Sequence, residues 1–188
     1  AVNTYGVKKA THINHGVKLC DLSDKEVCRN ELNIGCDSSY IVLMSMGYFG
    51  GLKGVMELIN MFSKFKERWP YSMFIYAGGL HPPTAQHGKK YMVDCMKHII
   101  KLGLKDDFII TGYLPEDKLP LYYSAADIFV LNYMNSGYIS ASGCSAKLVA
   151  ARRPIVTTHG TFRNEELIDG KTCLKVKEGD MDEMLTTI

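Results

Sequence analysis

Short apolar runs alternate with longer segments of helical periodicity along this 188-residue chain. The first run, residues 40–46 (YIVLMSM), includes β-branched residues and is too short for a buried helix, so it predicts a buried strand. Similar runs predict five more strands, at residues 72–76, 108–111, 127–131, 154–158 and 173–176. This alternation restricts the chain to folds in which helices connect parallel strands.

The segments between the runs place their apolar residues on one helical face. Apolar residues from Val55 to Phe65 are spaced three and four apart before Pro70, and those from Met92 to Leu102 repeat the pattern before Gly103. Shorter elements follow from the same reasoning: helices at 115–124, at 142–152 and from 181 onward, a helical turn at 165–168, and a loop at 81–88. We therefore predict a Rossmann-like, three-layer α/β/α domain with a six-stranded, mostly parallel sheet.

Residues 1–39 precede the main alternation. They predict a lead-in strand near residues 10–14 and a helix started by Ser23 or Asp24. We expect both to pack against the main domain, residues 40–188. The chain does not begin with Met and ends within a predicted helix, so we expect it to be a piece of a longer protein.

Charge and hydropathy exclude several functional classes. The chain carries 22 basic and 20 acidic residues, a net charge of +2, so no nucleic-acid footprint is predicted. No apolar run approaches the roughly 18 residues that a membrane span needs. We expect a cytoplasmic protein, with attachment of the full-length protein to a membrane surface left open.

The six cysteines predict neither a disulfide framework nor a zinc site. No two of them form a Cys-x-x-Cys pair, and the histidines are scattered, so we expect reduced thiols and no metal. The acidic pairs Asp106-Asp107 and Asp180-x-Asp182 stand at predicted element starts, where carboxylates suit the helix dipole or solvent.

The predicted topology brings four loops to one edge of the sheet. Ligands of such sheets bind at the carboxyl ends of the strands. The loops at that edge are residues 47–54, the segment from Gly78, residues 112–115 and residues 132–143.

Two of these loops have features of an anion site. Gly50 and Gly51 leave backbone N–H groups open before a helix, and Lys53 adds a positive charge suited to phosphate. Residues 142–144, which are Ser142, Gly143 and Cys144, begin another helix, whose N–H groups suit a pyrophosphate. The alternatives are a tight turn with an exposed lysine and an ordinary helix cap.

The loop at residues 112–115 is a candidate nucleobase site. Tyr113 offers an aromatic face and Leu114 an apolar contact, next to open backbone groups. A turn with a partly buried tyrosine is the alternative.

The order of these segments resembles the C-terminal domain of the family 4 retaining glycosyltransferases, which have the two-lobed B-type fold. The resemblance extends from Asn14 to the end of the chain. It rests on the segments NHGV at 14–17, SMGYFGGLKG at 45–54, YAGG at 76–79, LGL at 102–104, ITGYLP at 110–115, YSAADIFVL at 123–131, RPIVTT at 153–158 and DG at 169–170.

The resemblance implies a nucleotide-diphosphate sugar as donor and transfer with retention of anomeric configuration. It implies no cofactor and no metal, because positive side chains and helix N-termini neutralise the leaving diphosphate. Lys53 matches the family's phosphate-contacting lysine. The partners implied are a nucleotide-sugar donor, an acceptor such as a glycan or a lipid-linked glycan, and the protein's own N-terminal lobe. Without that lobe, which binds the acceptor, we expect no transfer.

The chain departs from the family pattern at its charged positions. Tyr48 stands where the family usually has arginine, and Lys147 stands where it has the second of two glutamates. Lys147 either contacts phosphate or is a solvated helix lysine. The departures leave the catalytic residues unknown, so a non-catalytic nucleotide- or glycan-binding module remains an alternative. A dinucleotide-dependent oxidoreductase is disfavoured because GxGxxG is missing.

Overall fold

The computed structural model describes residues 9, 11, 13, 16–35, 39–80, 85–134, 142–159 and 165–188. The strands are β1 (Ile41–Met46), β2 (Ser72–Ala77), β3 (Phe108–Ile110), β4 (Ile128–Leu131), β5 (Ile155–Thr158) and β6 (Leu174–Val176). The helices are α1 (Lys25–Glu31), α2 (Val55–Arg68), α3 (Ala85–Lys101), α4 (Leu119–Ala125), α5 (Gly143–Ala150) and α6 (Met181–Thr187). A 3₁₀ turn at Gly51–Lys53 precedes α2.

The six strands form one sheet in the order β3-β2-β1-β4-β5-β6, and every paired neighbour runs parallel. The chain builds outward from β1 to β3 and then returns to place β4 on the other side of β1. Leu43 is opposite Ile128 and Met44 is opposite Phe129 across this junction. A reversal of strand order between two central strands is the point at which such sheets open a ligand crevice.

Helices cover both faces of the sheet. Successive residues of β1 point to opposite sides, so Val42 and Met44 enter one core and Leu43 enters the other. The first core receives side chains from α1, α4 and α5, and the second receives them from α2, α3 and α6. Both faces of β1 and β2 are therefore dry, which explains their continuous apolar sequences. The predicted three-layer α/β/α architecture is confirmed.

Helix α1 is held to the sheet by a buried arginine. The Arg29 side chain is 2% exposed, and it donates to the carbonyl oxygens of Ala125 and Tyr40, each at 3.0 Å. It also forms an ion pair with Asp127, which accepts hydrogen bonds from Lys25 Nζ and from the backbone N–H of Val42, both at 2.8 Å. The lead-in helix thus shares one polar network with the two central strands.

Three local predictions differ from the structure. Helix α3 begins at Ala85, so the expected loop over residues 81–88 ends earlier. Gly88 lies inside the helix, where a Cβ would come within 2.8 Å of Leu80 Cδ2, so packing and not a turn favours this glycine. Helix α4 begins at Leu119, with proline in its first turn, and not at residue 115 as predicted. Residues 115–118 form a turn instead, in which the Lys118 N–H donates to the Pro115 carbonyl. Glu165 and Glu166 form a turn that does not continue as a helix.

Several sequence expectations fall on residues outside the described ranges. These are most of the lead-in strand, the loop at 135–141, His12, His15 and Cys36. Two residues of the predicted lead-in strand, Thr11 and Ile13, are described, and neither is in a strand. The cysteines that the structure describes, Cys20, Cys28, Cys95, Cys144 and Cys173, are free thiols. Within the same ranges, the structure contains no helix with the length and apolarity to cross a bilayer.

Candidate functional site

The loops after β1, β2 and β4 are packed tightly at the carboxyl edge of the sheet. A Cβ on Gly78 would lie 1.8 Å from the Gly47 carbonyl oxygen, and a Cβ on Gly54 would lie 2.0 Å from Asn132 Nδ2. Gly54 also has φ +50°, a conformation that side chains disfavour. These glycines let the backbones of three loops meet, and they fix the floor of the crevice between β1 and β4.

Lys53 lies on this floor. Its ammonium group sits 4.3 Å from the ring centroid of Tyr133, within the range of a cation–π contact. Its aliphatic chain covers Gly47, where a Cβ would lie 3.0 Å from Lys53 Cε. Burial lowers the pKa of Lys53 below its ordinary value, although the nearby Cys144 opposes the shift. The alternative of an exposed lysine on a turn is therefore wrong: the chain holds this cation in a partly dry position.

Gly50 and Gly51 border the open side of the crevice. Gly50 has an extended backbone with φ 179°, which any residue adopts. A Cβ on either glycine would meet no atom of the described residues within 4 Å. The protein's own packing therefore does not require glycine here, and the backbone of this turn is accessible to a ligand.

Helix α5 begins on the other side of the crevice. Ser142 precedes it, but its hydroxyl does not cap the helix and lies 3.0 Å from the Tyr133 hydroxyl. The N–H groups of Gly143 and Cys144, in the first turn, have no acceptor within the helix itself. Cys144 is close enough to Lys53 to influence its pKa. The positive end of α5 and the Lys53 ammonium therefore belong to one region.

Sequence reasoning missed two residues of this region, Asn132 and Tyr133. Asn132 is buried and donates from Nδ2 to the Gly54 carbonyl at 3.2 Å, while its Oδ1 has no hydrogen-bond partner among the described residues. Tyr133 is 2% exposed, its backbone N–H donates to Thr158 Oγ1 at 2.9 Å, and burial raises the pKa of its phenol. Their position directly after a buried strand was the signal that could have identified them.

The predicted nucleobase site lies at the end of β3. The Tyr113 side chain is 78% exposed. Its backbone is close to Gly79, because a Cβ on Gly79 would lie 2.9 Å from the Tyr113 backbone nitrogen. Leu114 is partly buried and packs against the core that α1, α4 and α5 cover. The structure thus places the exposed Tyr113 ring beside the Gly79 backbone, and the roles of Tyr113 and Leu114 stay predictions.

Lys147 lies in α5, and its ammonium group forms an ion pair with Glu116, which follows the β3 loop. Both side chains line a cavity of about 720 Å³. The rest of its wall comes from residues 16–21 and from the start of α4: Gly16, Val17, Lys18, Leu19, Cys20, Asp21, Asp117, Leu119, Pro120 and Tyr123. A contact between Lys147 and phosphate stays a prediction.

Among the residues described, no group of three or more His, Cys, Asp and Glu side chains could hold a metal ion.

Comparison with known proteins gives a family match over most of the chain. A family model described as glycosyl transferases group 1 matches residues 41–188. Mannosylfructose-phosphate synthase from Agrobacterium fabrum is 32% identical over 121 residues, which are 63% of this chain and 26% of that protein. A GDP-mannose-dependent α-(1-6)-phosphatidylinositol monomannoside mannosyltransferase from Mycolicibacterium smegmatis is 24% identical over 147 residues. That match covers 72% of this chain and 34% of the relative, so the chain spans a quarter to a third of both proteins.

Solved structures share the fold. The C-terminal domain of LpcC, a group 1 glycosyl transferase family protein from Francisella tularensis, superimposes with a TM-score of 0.72 at 15% identity. The match covers 92% of this chain and 85% of that domain. HepE from Anabaena, solved in complex with UDP and glucose, gives a TM-score of 0.72 at 16% identity over 87% of this chain and 41% of HepE.

Proposed function

Because this chain belongs to the group 1 glycosyltransferases, we propose that its crevice binds the nucleoside diphosphate of a nucleotide-sugar donor. The observation that carries the proposal is the position of Lys53. A cation held partly dry, at the junction of β1 and β4, interacts more strongly with a phosphate than a solvated lysine does. The N–H groups at the start of α5 and the open turn at Gly50 and Gly51 supply neutral donors around the same charge.

The proposed reaction breaks the bond between the sugar's anomeric carbon and the diphosphate. Negative charge develops on the leaving diphosphate as this bond lengthens. Lys53 and the α5 N-terminus would stabilise that charge without a metal ion. We further propose retention of anomeric configuration, as the family resemblance implies, with the acceptor bound by a separate N-terminal lobe and supplied as a glycan or a lipid-linked glycan.

The remainder of the donor has candidate contacts along the same edge. The exposed Tyr113 ring can stack on a nucleobase, with Leu114 beneath it. Lys147 and Glu116 lie on the wall of the neighbouring cavity and offer charged hydrogen-bonding groups. UDP and GDP are the nucleotides to test first, because the similar proteins include HepE in complex with UDP and a GDP-mannose-dependent enzyme.

A second candidate is a binding module without transferase activity. Tyr48, which is 50% exposed, stands where the family usually has arginine, and Lys147 stands at a family glutamate position. Both changes alter the charge next to the proposed donor. Such a module would bind nucleotide without consuming a nucleotide sugar.

A ligand panel tests the proposal. Selective binding to the folded state increases the free energy of unfolding, by about 2.7 kcal/mol at a ligand concentration of 100 Kd, and so raises the melting temperature. For a chain of this size that corresponds to a shift of roughly 5–10 °C. UDP or GDP should give such a shift, while uridine, guanosine and NAD give less than a third of it. Equal shifts with nucleosides and diphosphates would contradict a phosphate site. Binding of a nucleotide sugar by the full-length protein, without turnover in the presence of acceptor extracts, would favour the module.

A further inference from the structure

Helix α3 exposes apolar side chains on its outer face. Val93 is 47% exposed, Met96 is 49% exposed and Ile100 is 62% exposed. Their spacing of three and four residues places them in one row along the helix. The opposite face of α3 packs against the domain, because Cys95 and Ile99 are buried in the core shared with α2. The apolar row is therefore not part of the packing of this domain.

Lysines lie within the row and along one side of it. At 100° per residue, the row and its flanking lysines occupy an arc of about 140° of the helix. The lysines are all exposed: Lys89, Lys90, Lys97 and Lys101. Asp94 is the acidic residue on the same side of the helix, and between the described residues there is no ion pair to any of the four lysines. The arc thus combines an apolar row with a net positive charge.

The neighbouring helix shows that this pattern is not general for the domain. Helix α2 packs beside α3 and has similar length, but its exposed residues are Asn60, Lys64, Glu67 and Arg68. It exposes no large apolar side chain, and its exposed charges have both signs. Helix α3 therefore differs from its neighbour α2 in both the apolarity and the charge of its exposed face.

We propose that the outer face of α3 docks on an anionic lipid bilayer. A helix with an apolar row flanked by lysines lies in the interfacial plane, with the apolar side chains among the acyl chains and the ammonium groups among the headgroup phosphates. The occupant follows from charge complementarity, since four cations flank the apolar row. Met, Val and Ile are side chains that a bilayer can accept without a shaped partner surface.

This docking would orient the proposed donor crevice. Helix α3 begins near the carboxyl edge of the sheet, where the Tyr91 hydroxyl accepts a hydrogen bond from Met56 N at the start of α2, at 3.0 Å. Helices of parallel α/β domains run antiparallel to the strands that they connect. With α3 lying in the membrane plane, the strands also lie along it, and the crevice opens sideways over the lipid surface.

Vesicle sedimentation tests the docking. The 188-residue protein should sediment with vesicles of two parts phosphatidylcholine to one part phosphatidylglycerol, and at least tenfold less with phosphatidylcholine alone. Raising NaCl to several times physiological strength should release most of it, because salt screens the charge contribution. Equal binding to both vesicle types, or no binding to either, would overturn the proposal.

Matched variants assign the binding to α3. Lys97→Glu/Lys101→Glu should reduce anionic-vesicle binding roughly 10- to 100-fold, at about one kcal/mol or more per changed residue. Val93→Gln/Met96→Gln/Ile100→Gln should reduce it at least as much, since Gln preserves helix propensity and removes the apolar row. The control Lys171→Glu/Lys177→Glu makes the same change in net charge at exposed lysines elsewhere and should retain binding.

Other outcomes are decided by the same experiment. A loss of binding in the control equal to that of the α3 variants would mean a response to net charge alone and would refute docking through this face. Unchanged melting temperatures across the variants are required for each comparison. Nucleoside diphosphate affinity, measured in parallel, should be unchanged in the α3 variants, so the two proposals can fail separately.

Discussion

Replacing Lys53 by methionine should change ligand affinity and protein stability in opposite directions. Methionine keeps the length and the apolar contacts with Gly47 and Tyr133 but removes the charge. The lowered pKa of Lys53 means that burial disfavours its charged form more than the local contacts favour it. The ligand-free Lys53→Met protein should therefore be more stable at pH 7, by about 0.5–2 kcal/mol, the usual gain when a functional strain is relieved.

The pH dependence of this gain has a definite sign. Because the pKa of Lys53 is lower in the folded protein than its ordinary 10.5, the unfolded chain binds the proton more tightly. The destabilisation is complete below the folded pKa and disappears as pH rises to 10.5. The stability difference between Lys53→Met and the native protein should shrink over that window in urea denaturation series.

Ligand binding should respond in the other direction. Loss of a charge-assisted contact should weaken nucleoside diphosphate binding by about 1.5–3 kcal/mol, while binding of the nucleoside changes little. Calorimetric titration measures both, with the exposed Lys171→Met as a control that should alter neither quantity. A Lys53→Met protein that is less stable at pH 7, or one that loses nucleoside and diphosphate affinity equally, would refute this account of the site.

Three further outcomes are expected for stability. Arg29→Met should destabilise the protein by about 3–5 kcal/mol in urea denaturation, because it removes the buried cation paired with Asp127 and the side-chain donor to the Ala125 and Tyr40 carbonyls; a loss under 1 kcal/mol would contradict the network. Burial would raise the pKa of Asp127, but hydrogen bonds from Lys25 and Val42 and the charge of Arg29 outweigh it and lower the pKa; stability should therefore fall as pH drops below about 4, and Asp127→Asn should flatten that acid limb. Arg152→Gly should stabilise by about 0.5–1 kcal/mol, since Arg152 has φ +53° after α5; a lower melting temperature would indicate that its side chain matters.

The strands could be predicted from the sequence because parallel strands are buried on both faces. Each of the six begins and ends within one residue of its predicted bounds. Helix α3 was predicted to begin too late, because Pro82, Pro83 and Gly88 are typical of a loop. Gly88 is instead favoured by the approach of the Leu80 side chain, a contact that no local pattern encodes.

The location of the candidate site was predictable from the sequence, but the burial of its charged side chains was not. The rule that parallel strands end at one edge placed the loops after β1 and β4 together. The burial of Lys53 was not predictable, because it depends on Tyr133, which comes from a strand far along the chain. The buried Arg29 was missed for the same reason: its three partners belong to other elements, and arginine is rarely a core residue.

The position of β1 at the centre of the sheet has a consequence for how the chain folds. During synthesis the half-sheet β3-β2-β1 is complete before β4 emerges, and until then one side of β1 has no neighbour. That edge is an apolar strand with unpaired backbone groups, which is a template for association with other nascent chains. The long-range pairing of β1 with β4 must close over two intervening βα units, so it forms late. In the folded protein the Asp127 carboxylate accepts from the Val42 N–H at that edge, so the returning segment covers part of the exposed backbone with a polar side chain.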